Sequence, residues 1–242
     1  MGVSGLPQSG TGHTALLTGE NAAALYGRHF GPWPPVPLRP LMMDQNILSR
    51  SGAAGLPCAF ANAYPASFLP EVWRRRPAGP PLAAKGAGIL DRTEDHLEQG
   101  QALSSEIVNS LWRTHLDMPR IPEITPQEAG KNLAEIAGEA ALTLFAHYAT
   151  DTAGHRGGAE AAVRALQRVD AFLEGLLASL PPDTLLVLGS DHGNIEDLTR
   201  GHTLNPTFNL VLGPGARSLA EGLKDITDLA GAILGYLQID GD

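Results

Sequence analysis

The amino-acid sequence predicts an α/β fold with a mostly parallel central sheet, flanked by helices on both faces, and a small inserted cap region. Short apolar segments without polar alternation, at residues 141–149, 184–189 and 208–213, are typical of strands buried on both faces. Between the first two, apolar residues recur every three or four positions over residues 158–180, which predicts an amphipathic helix and a right-handed crossover. The same period predicts a last helix over residues 225–237.

The middle of the chain differs from both ends because prolines cluster there. Proline-rich stretches lie at residues 32–40, 65–81 and 119–126. Residues 90–118, between the last two stretches, have a polar pattern that predicts helix. Proline disfavours helix interiors and central strands, so these stretches indicate boundaries. We therefore predict a core made of residues 1–61 and 126–242, with residues 62–125 as an insert or small cap.

Composition narrows the class of protein. The 242 residues are 43% hydrophobic and 18% charged, which is ordinary for a globular protein. A net charge of −9 argues against nucleic-acid binding, which requires clustered Lys and Arg. The single cysteine, Cys58, excludes an intramolecular disulfide, and we expect it to be a small buried hydrophobe. Neither a signal peptide nor a membrane-spanning apolar run is found, so we expect a cytoplasmic protein without a membrane partner. The sequence does not indicate the oligomeric state.

Carboxylates and imidazoles flank the predicted strands. Asp151 and His155 follow the first strand, Asp191 and His192 follow the second, and His202 shortly precedes the third. Ligands of open α/β sheets bind beyond the carboxyl ends of the strands, so we expect these side chains at one edge. Such donors suit zinc or manganese, with magnesium as the alternative. Two neighbouring ions are the usual clamp for displacement at phosphorus, so the sequence predicts a phosphate-handling centre with two divalent ions.

A loop of small residues near the start of the chain offers a nucleophile. Residues 6–14 (LPQSGTGHT) precede a helical pattern at residues 15–17, and a helix start presents N–H groups and a positive dipole end to an anion. The loop also places a hydroxyl there, from Ser9 or Thr11, and a nearby metal ion would activate it. The same composition is common at ordinary helix starts, where it serves only as a cap.

Together these motifs resemble those of cofactor-independent phosphoglycerate mutases and phosphopentomutases, a branch of the alkaline phosphatase superfamily. The similar segments are, in chain order, residues 9–13 (SGTGH), 151–155 (DTAGH), 190–196 (SDHGNIE) and 201–206 (GHTLNP). The resemblance covers both ends of the chain and leaves the middle unmatched. It is nearest to small metalloenzyme-domain proteins of this branch.

The resemblance implies roles for individual residues. One ion would be held by Asp151, His155 and His202, and the other by Asp191, His192 and the hydroxyl of Ser9. Ser9 would attack a phosphorylated small-molecule substrate and become a transient phosphoserine, with Thr11 as the alternative nucleophile. Thr11, His13 and Arg74 are candidate substrate contacts.

Two departures from the family pattern stand out. Family members begin with a strand that ends in an aspartate ligand of the second ion, whereas no acidic residue precedes Glu20 here. We therefore expect that the first strand is missing, through a misplaced start or a truncation. The insert is also small, with the run Arg74, Arg75 and Arg76 as its main cations, for which a solvated surface run is the alternative to a phosphate site.

The leading hypothesis is a metal-dependent phosphohydrolase or phosphotransferase that acts on phosphate monoesters through Ser9. The first alternative is a catalytically impaired module that lacks one ligand and binds a single ion and a phosphate ester. The second is a phosphodiesterase of the same superfamily. The sequence argues against a sulfatase, because Cys58 is followed by residues 59–62 (AFAN), without the proline and arginine of the sulfatase motif.

Overall fold

The chain forms a mixed α/β fold in a computed structural model that describes residues 1–71 and 76–239. The described strands are β1 Cys58–Phe60, β2 Leu142–Leu144, β3 Leu186–Gly189 and β4 Asn209–Leu212. The α-helices are α1 Ser9–Thr18, α2 Ala22–Tyr26, α3 Arg39–Asp44, α4 Ile47–Ala53, α5 Gly79–Gly86, α6 Glu94–Glu98, α7 Ser110–Thr114, α8 Pro126–Gly138, α9 Ala149–Arg156, α10 Gly158–Ser179, α11 Ala216–Gly222 and α12 Asp228–Tyr236. Short 3₁₀ turns lie at Val36–Leu38 and Leu69–Glu71.

The strands pair differently from the prediction. β1 and β2 are parallel, with Phe60 opposite Leu144, but β3 and β4 are antiparallel, with Leu186 opposite Leu212. These are two separate two-stranded sheets, since no described strand joins β2 to β3. The expectation of a mostly parallel sheet through all three segments is therefore wrong for the last strand. Residues of β2 and the first three residues of β3 are half-buried and Gly189 is exposed, because each strand pairs on one edge only among the described strands.

The long helix α10 confirms the helix predicted over residues 158–180, and α12 lies within the predicted last helix. α8 begins with a capping box between Thr125 and Glu128 and packs along α10. The close approach requires Gly130, because a Cβ there would lie 2.2 Å from the carbonyl oxygen of Phe172. Leu133, Phe172 and Leu176 belong to the apolar cluster between these helices.

The helical stretch expected over residues 90–118 is wrong, since the structure has only the short helices α6 and α7 there. The backbone at Gly100 and Asn109 adopts positive φ angles of 73° and 66°, which a continuous right-handed helix excludes. Between them, Leu103 instead forms a parallel bridge with Asn62.

Residues 62–125 contribute to three apolar clusters, one of which joins Leu82 to Leu17 of α1. Leu97, Trp112 and Ile121 belong to a small cluster of this segment alone, whereas Leu103 and Ile107 pack with residues of α8 and α10. The division into a core and an insert stays a prediction.

The N-terminal helix packs on the apolar cluster that includes Leu82, which is separate from the other two. Leu17 of α1 packs there with Phe60 of β1, Leu82 of α5 and Leu234 of α12. Cys58 is half-buried at the start of β1, less enclosed than expected. Among residues 1–71 and 76–239, no helix combines the length and the hydropathy that spanning a bilayer requires.

Candidate metal centre

The serine of the N-terminal motif lies in the first turn of a helix rather than in a loop before it. α1 begins at Ser9, and Gln8 provides no side-chain cap, so the first N–H groups of the helix lack that partner. The Ser9 Oγ lies 2.8 Å from His192 Nε2, at hydrogen-bonding distance. The chain thus brings a hydroxyl from its beginning against an imidazole 183 residues further along.

Asp151 and His155 face each other on one helix. They lie one turn apart on the helix α9, which follows β2. His155 Nε2 lies 3.5 Å from Asp151 Oδ1. Gly154 is required in this helix because the side-chain oxygen of Asn194 occupies the space where a Cβ would lie.

His202 brings the third motif to the same carboxylate. Its Nε2 lies 3.9 Å from Asp151 Oδ1 and 3.0 Å from His155 Nε2. Its Nδ1 lies 2.6 Å from the carbonyl oxygen of Pro7. A carbonyl only accepts, so Nδ1 carries the hydrogen and donates, and Nε2 of the neutral ring keeps its lone pair towards the cluster. Desolvation by burial, and then the nearby His192, lower the pKa of His202, which favours that neutral ring.

Asp191 and His192 follow β3 and complete the cluster. His192 is nearly fully buried, and its Nε2 lies 3.4 Å from Asp191 Oδ2 and 3.9 Å from Asp151 Oδ1. Its ring stacks on that of His202 with centroids 3.9 Å apart. The donor atoms of Asp151, His192 and His202 all lie within 4.8 Å of one another. The geometry therefore also groups His192 with Asp151, whereas the resemblance implied a site made of His192, Asp191 and Ser9.

A polar network holds the loops that carry these donors. Asn194 Nδ2 donates to Asp151 Oδ1 at 2.9 Å. Glu196 accepts hydrogen bonds from the Asn194 N–H at 2.7 Å, from the Thr203 hydroxyl, and from Asn205 Nδ2 at 3.1 Å. Desolvation raises the pKa of Glu196, but these hydrogen bonds outweigh it and leave that pKa below its usual value. The carboxylate of Glu196 thus ties the segment after β3 to the segment that carries His202.

Four polar residues of the motif segments had no predicted function: Asn194, Glu196, Thr203 and Asn205. Their signal was present as polar side chains close to each predicted ligand. Which of them contact a ligand and which contact each other depends on how two distant loops meet, and the sequence alone does not contain that information.

The cluster fits divalent cations. Two carboxylates and three imidazoles converge, and Asp191 Oδ2 is buried without a hydrogen-bond partner. A buried, unpaired carboxylate oxygen is costly unless a cation or a donor meets it. A cavity of about 560 Å³, lined by Pro7, Asp191, Leu204 and Asn205 among others, opens beside the cluster.

The remaining predicted site residues lie in different places. Thr11 is fully buried; its hydroxyl is 3.2 Å from the carbonyl of Gln8 and also receives the N–H of Phe30, so it faces the backbone and not the cluster. His13 lies against Asp191, with Nε2 3.4 Å from Oδ2. Arg74 lies outside the described residues, so its predicted substrate contact stays a prediction.

Comparison with known proteins supports the motif resemblance. The chain is similar to proteins named 2,3-bisphosphoglycerate-independent phosphoglycerate mutase from Ruegeria pomeroyi (32% identical; 48% of this chain, 25% of that protein), Helicobacter pylori (30%; 47% and 24%) and Halobacterium salinarum (32%; 53% and 28%). It spans about a quarter of the length of these curated relatives. No solved structure matches it significantly.

A family model described as the Metalloenzyme superfamily matches residues 102–240, which is more than half of the chain. The match includes three of the four motifs, with Asp151, His155, Asp191, His192 and His202. The chain therefore belongs to the Metalloenzyme superfamily, in the mutase-like branch of the alkaline phosphatase superfamily.

Proposed function

We propose that the protein is a metal-dependent phosphotransferase or phosphohydrolase that acts on phosphate monoesters of small molecules, with Ser9 as the nucleophile and two divalent ions. The observation that supports it most is the position of Ser9 Oγ, 2.8 Å from His192 Nε2 and at the N-terminal end of a ten-residue helix. A hydroxyl, an imidazole–carboxylate cluster and a helix start thus meet in one place. Each of the three suits a phosphate group.

The proposal assigns the side chains of the cluster to two ions. Asp151, His155 and His202 would hold one ion, and Asp191, His192 and Ser9 the other. Such ions, when bound, neutralise phosphate charge and lower the pKa of a neighbouring hydroxyl. Zinc or manganese suits this mixture of nitrogen and oxygen donors.

In the proposed reaction, Ser9 at the start of α1 carries the phosphoryl group. The Ser9 oxygen attacks phosphorus and forms an Oγ–P bond while the P–O bond to the ester oxygen breaks. The leaving oxygen takes up a proton in place of the one that the Ser9 hydroxyl releases. Water or an acceptor hydroxyl then takes the phosphoryl group and restores the serine. The Thr11 N–H already donates to the carbonyl oxygen of Phe30, so in the proposal the positive end of the α1 dipole, rather than a free N–H of Thr11, favours the phosphoryl charge.

The test is hydrolysis of an aryl phosphate monoester by the zinc- or manganese-loaded protein. Ser9→Ala removes the proposed nucleophile, so we expect the rate to fall by at least about a thousandfold. Ser218→Ala, at an exposed serine of α11 far along the chain, is the matched control and keeps the wild-type rate. Full activity in Ser9→Ala contradicts the proposed nucleophile.

A second candidate function is a single-ion module that binds phosphate esters without turnover. The close grouping of Asp151, His192 and His202 around one point favours it. Metal stoichiometry separates the two functions: about two ions per chain with turnover supports the enzyme, and one ion without turnover supports the binding module. Hydrolysis of an aryl phosphate diester in preference to the monoester would instead support the phosphodiesterase alternative.

A further inference from the structure

His13 shares a face of α1 with Ser9. The two residues lie four positions apart in this helix, so their side chains are neighbours one turn apart. The same spacing relates Asp151 and His155 on α9. Each half of the cluster is therefore built on a helix that presents an oxygen donor and, one turn later, an imidazole.

Gly12 lets Asp191 approach this face closely. A Cβ at Gly12 would lie 3.0 Å from Asp191 Cβ and 3.3 Å from its Oδ2. The carboxylate thus lies directly against the turn of α1 that carries Ser9 and His13. This packing is tighter than most side chains permit, and it brings the carboxylate within reach of both.

The distances around Asp191 Oδ2 suit an ion better than a hydrogen bond. His13 Nε2 and His192 Nε2 each lie 3.4 Å from this oxygen, which is buried and has no hydrogen-bond partner. Good N–H···O hydrogen bonds are about 2.9 Å long. Two donor atoms that each lie about 2.1 Å from a tetrahedral ion are about 3.4 Å apart.

We infer that His13 Nε2 is a ligand of the second cation and that, with Ser9 Oγ, Asp191 Oδ2 and His192 Nε2, it forms a four-donor site. This inference rests on the two-ion function proposed above. Two imidazole nitrogens, a carboxylate and a hydroxyl oxygen are a donor set for zinc rather than magnesium, which prefers oxygen ligands and retained waters. The second site is accordingly zinc-selective, and His13 is the residue that makes it so.

The experiment is a zinc titration of metal-free protein that follows both stoichiometry and affinity. Wild type binds two ions. His13→Gln keeps the side-chain volume roughly but removes the imidazole, so one ion binds as in wild type and the other at least about 100-fold more weakly. Asp151→Ala weakens the other site instead. His115→Gln, at an exposed histidine in the insert, is the matched control and binds two ions as wild type does.

Melting temperatures in the presence of a chelator separate a ligand from a structural residue. A ligand role leaves the metal-free His13→Gln protein as stable as wild type and reduces the rise in melting temperature on adding zinc. A purely structural role lowers the metal-free melting temperature and leaves that rise intact, which overturns the inference.

Two failures are distinguishable. Two ions bound with unchanged affinity in His13→Gln overturn the role of His13 and leave the proposed function standing. One ion or none bound by wild type overturns the two-ion function itself, and the inference with it.

Discussion

Replacing Gly154 with alanine tests whether Asn194 holds the Asp151 carboxylate in position. A Cβ at Gly154 would lie 1.5 Å from Asn194 Oδ1 and 2.7 Å from its Cγ, far inside van der Waals contact. The Asn194 amide therefore has to move away from α9. Its Nδ2 then no longer donates to Asp151 Oδ1, at present 2.9 Å away.

The size of the effect follows from two opposing contributions. Losing a hydrogen bond to a charged group costs about 1.5–3 kcal/mol, and the lower end applies because Asp151 is 42% exposed. Alanine is about 1 kcal/mol better than glycine inside a helix. The net change is a destabilisation of about 0.5–1 kcal/mol, together with about 10- to 100-fold weaker zinc binding because a ligand loses its orienting partner.

Gly231→Ala is the matched control, since Gly231 also lies inside a helix but a Cβ there meets nothing within 4 Å. We expect this control to be about 0.5–1 kcal/mol more stable than wild type and to bind zinc normally. Urea denaturation of the metal-free proteins gives the free energies of unfolding, and zinc titration gives the affinities. The reasoning is refuted if Gly154→Ala matches Gly231→Ala in both measurements.

Three further predictions concern other parts of the structure. Burial, with the charge of Arg168 nearby, lowers the pKa of His147 from 6.5 to about 4, so the unfolded chain binds the proton first as pH falls. As the pH falls from 6.5 to 4, the free energy of unfolding of the metal-free protein therefore decreases by up to about 3 kcal/mol, and the His147→Gln variant lacks this decrease. Urea denaturation across that range measures it, and equal pH slopes in both proteins would contradict the prediction. Glu196→Gln replaces one of two acceptor oxygens by an amide donor, so at least one of the three hydrogen bonds to this side chain is lost. Zinc titration should then show about 10-fold weaker binding, and unchanged affinity would exclude a role of Glu196 in holding the two loops. Leu176→Ala, at a buried position of α10, should lower the free energy of unfolding in urea by about 2–5 kcal/mol. Leu177→Ala, at the neighbouring position that is 49% exposed, should lower it much less. Similar losses in the two variants would show that α10 packs on a different face.

Local patterns were enough to predict several elements of the fold. The apolar period over residues 158–180 depends only on neighbouring positions, and α10 follows it closely. Each of the three predicted strand segments contains a strand, although the strand is shorter than its apolar run. The strand β1, by contrast, was not predicted. Their pairing was not predictable, because β3 and β4 meet through contacts between distant residues and apolar content does not encode strand direction.

The middle of the chain shows why a periodic pattern can mislead. Residues 90–118 have a helical pattern, but the left-handed backbone at Gly100 and Asn109 divides them into short helices. Ser9 shows the opposite error, because the Gly- and Ser-rich segment predicted as a loop is the first turn of α1. Propensity is a weak prior that tertiary packing overrides in both cases.

The sequence by itself determined the family and the inventory of donors, since motif residues and their order are properties of the chain alone. Only the tertiary structure decided that Asp151 and His155 share a helix face, that His192 lies between both carboxylates, and that Thr11 is buried while His13 lies against Asp191. The physical reason is that a donor's partner is set by the packing of α1, α9 and two loops against each other. The contacts of α9 with these loops join residues 43 and 47 positions apart, and the contact of Ser9 with His192 joins residues 183 apart, where no local pattern extends.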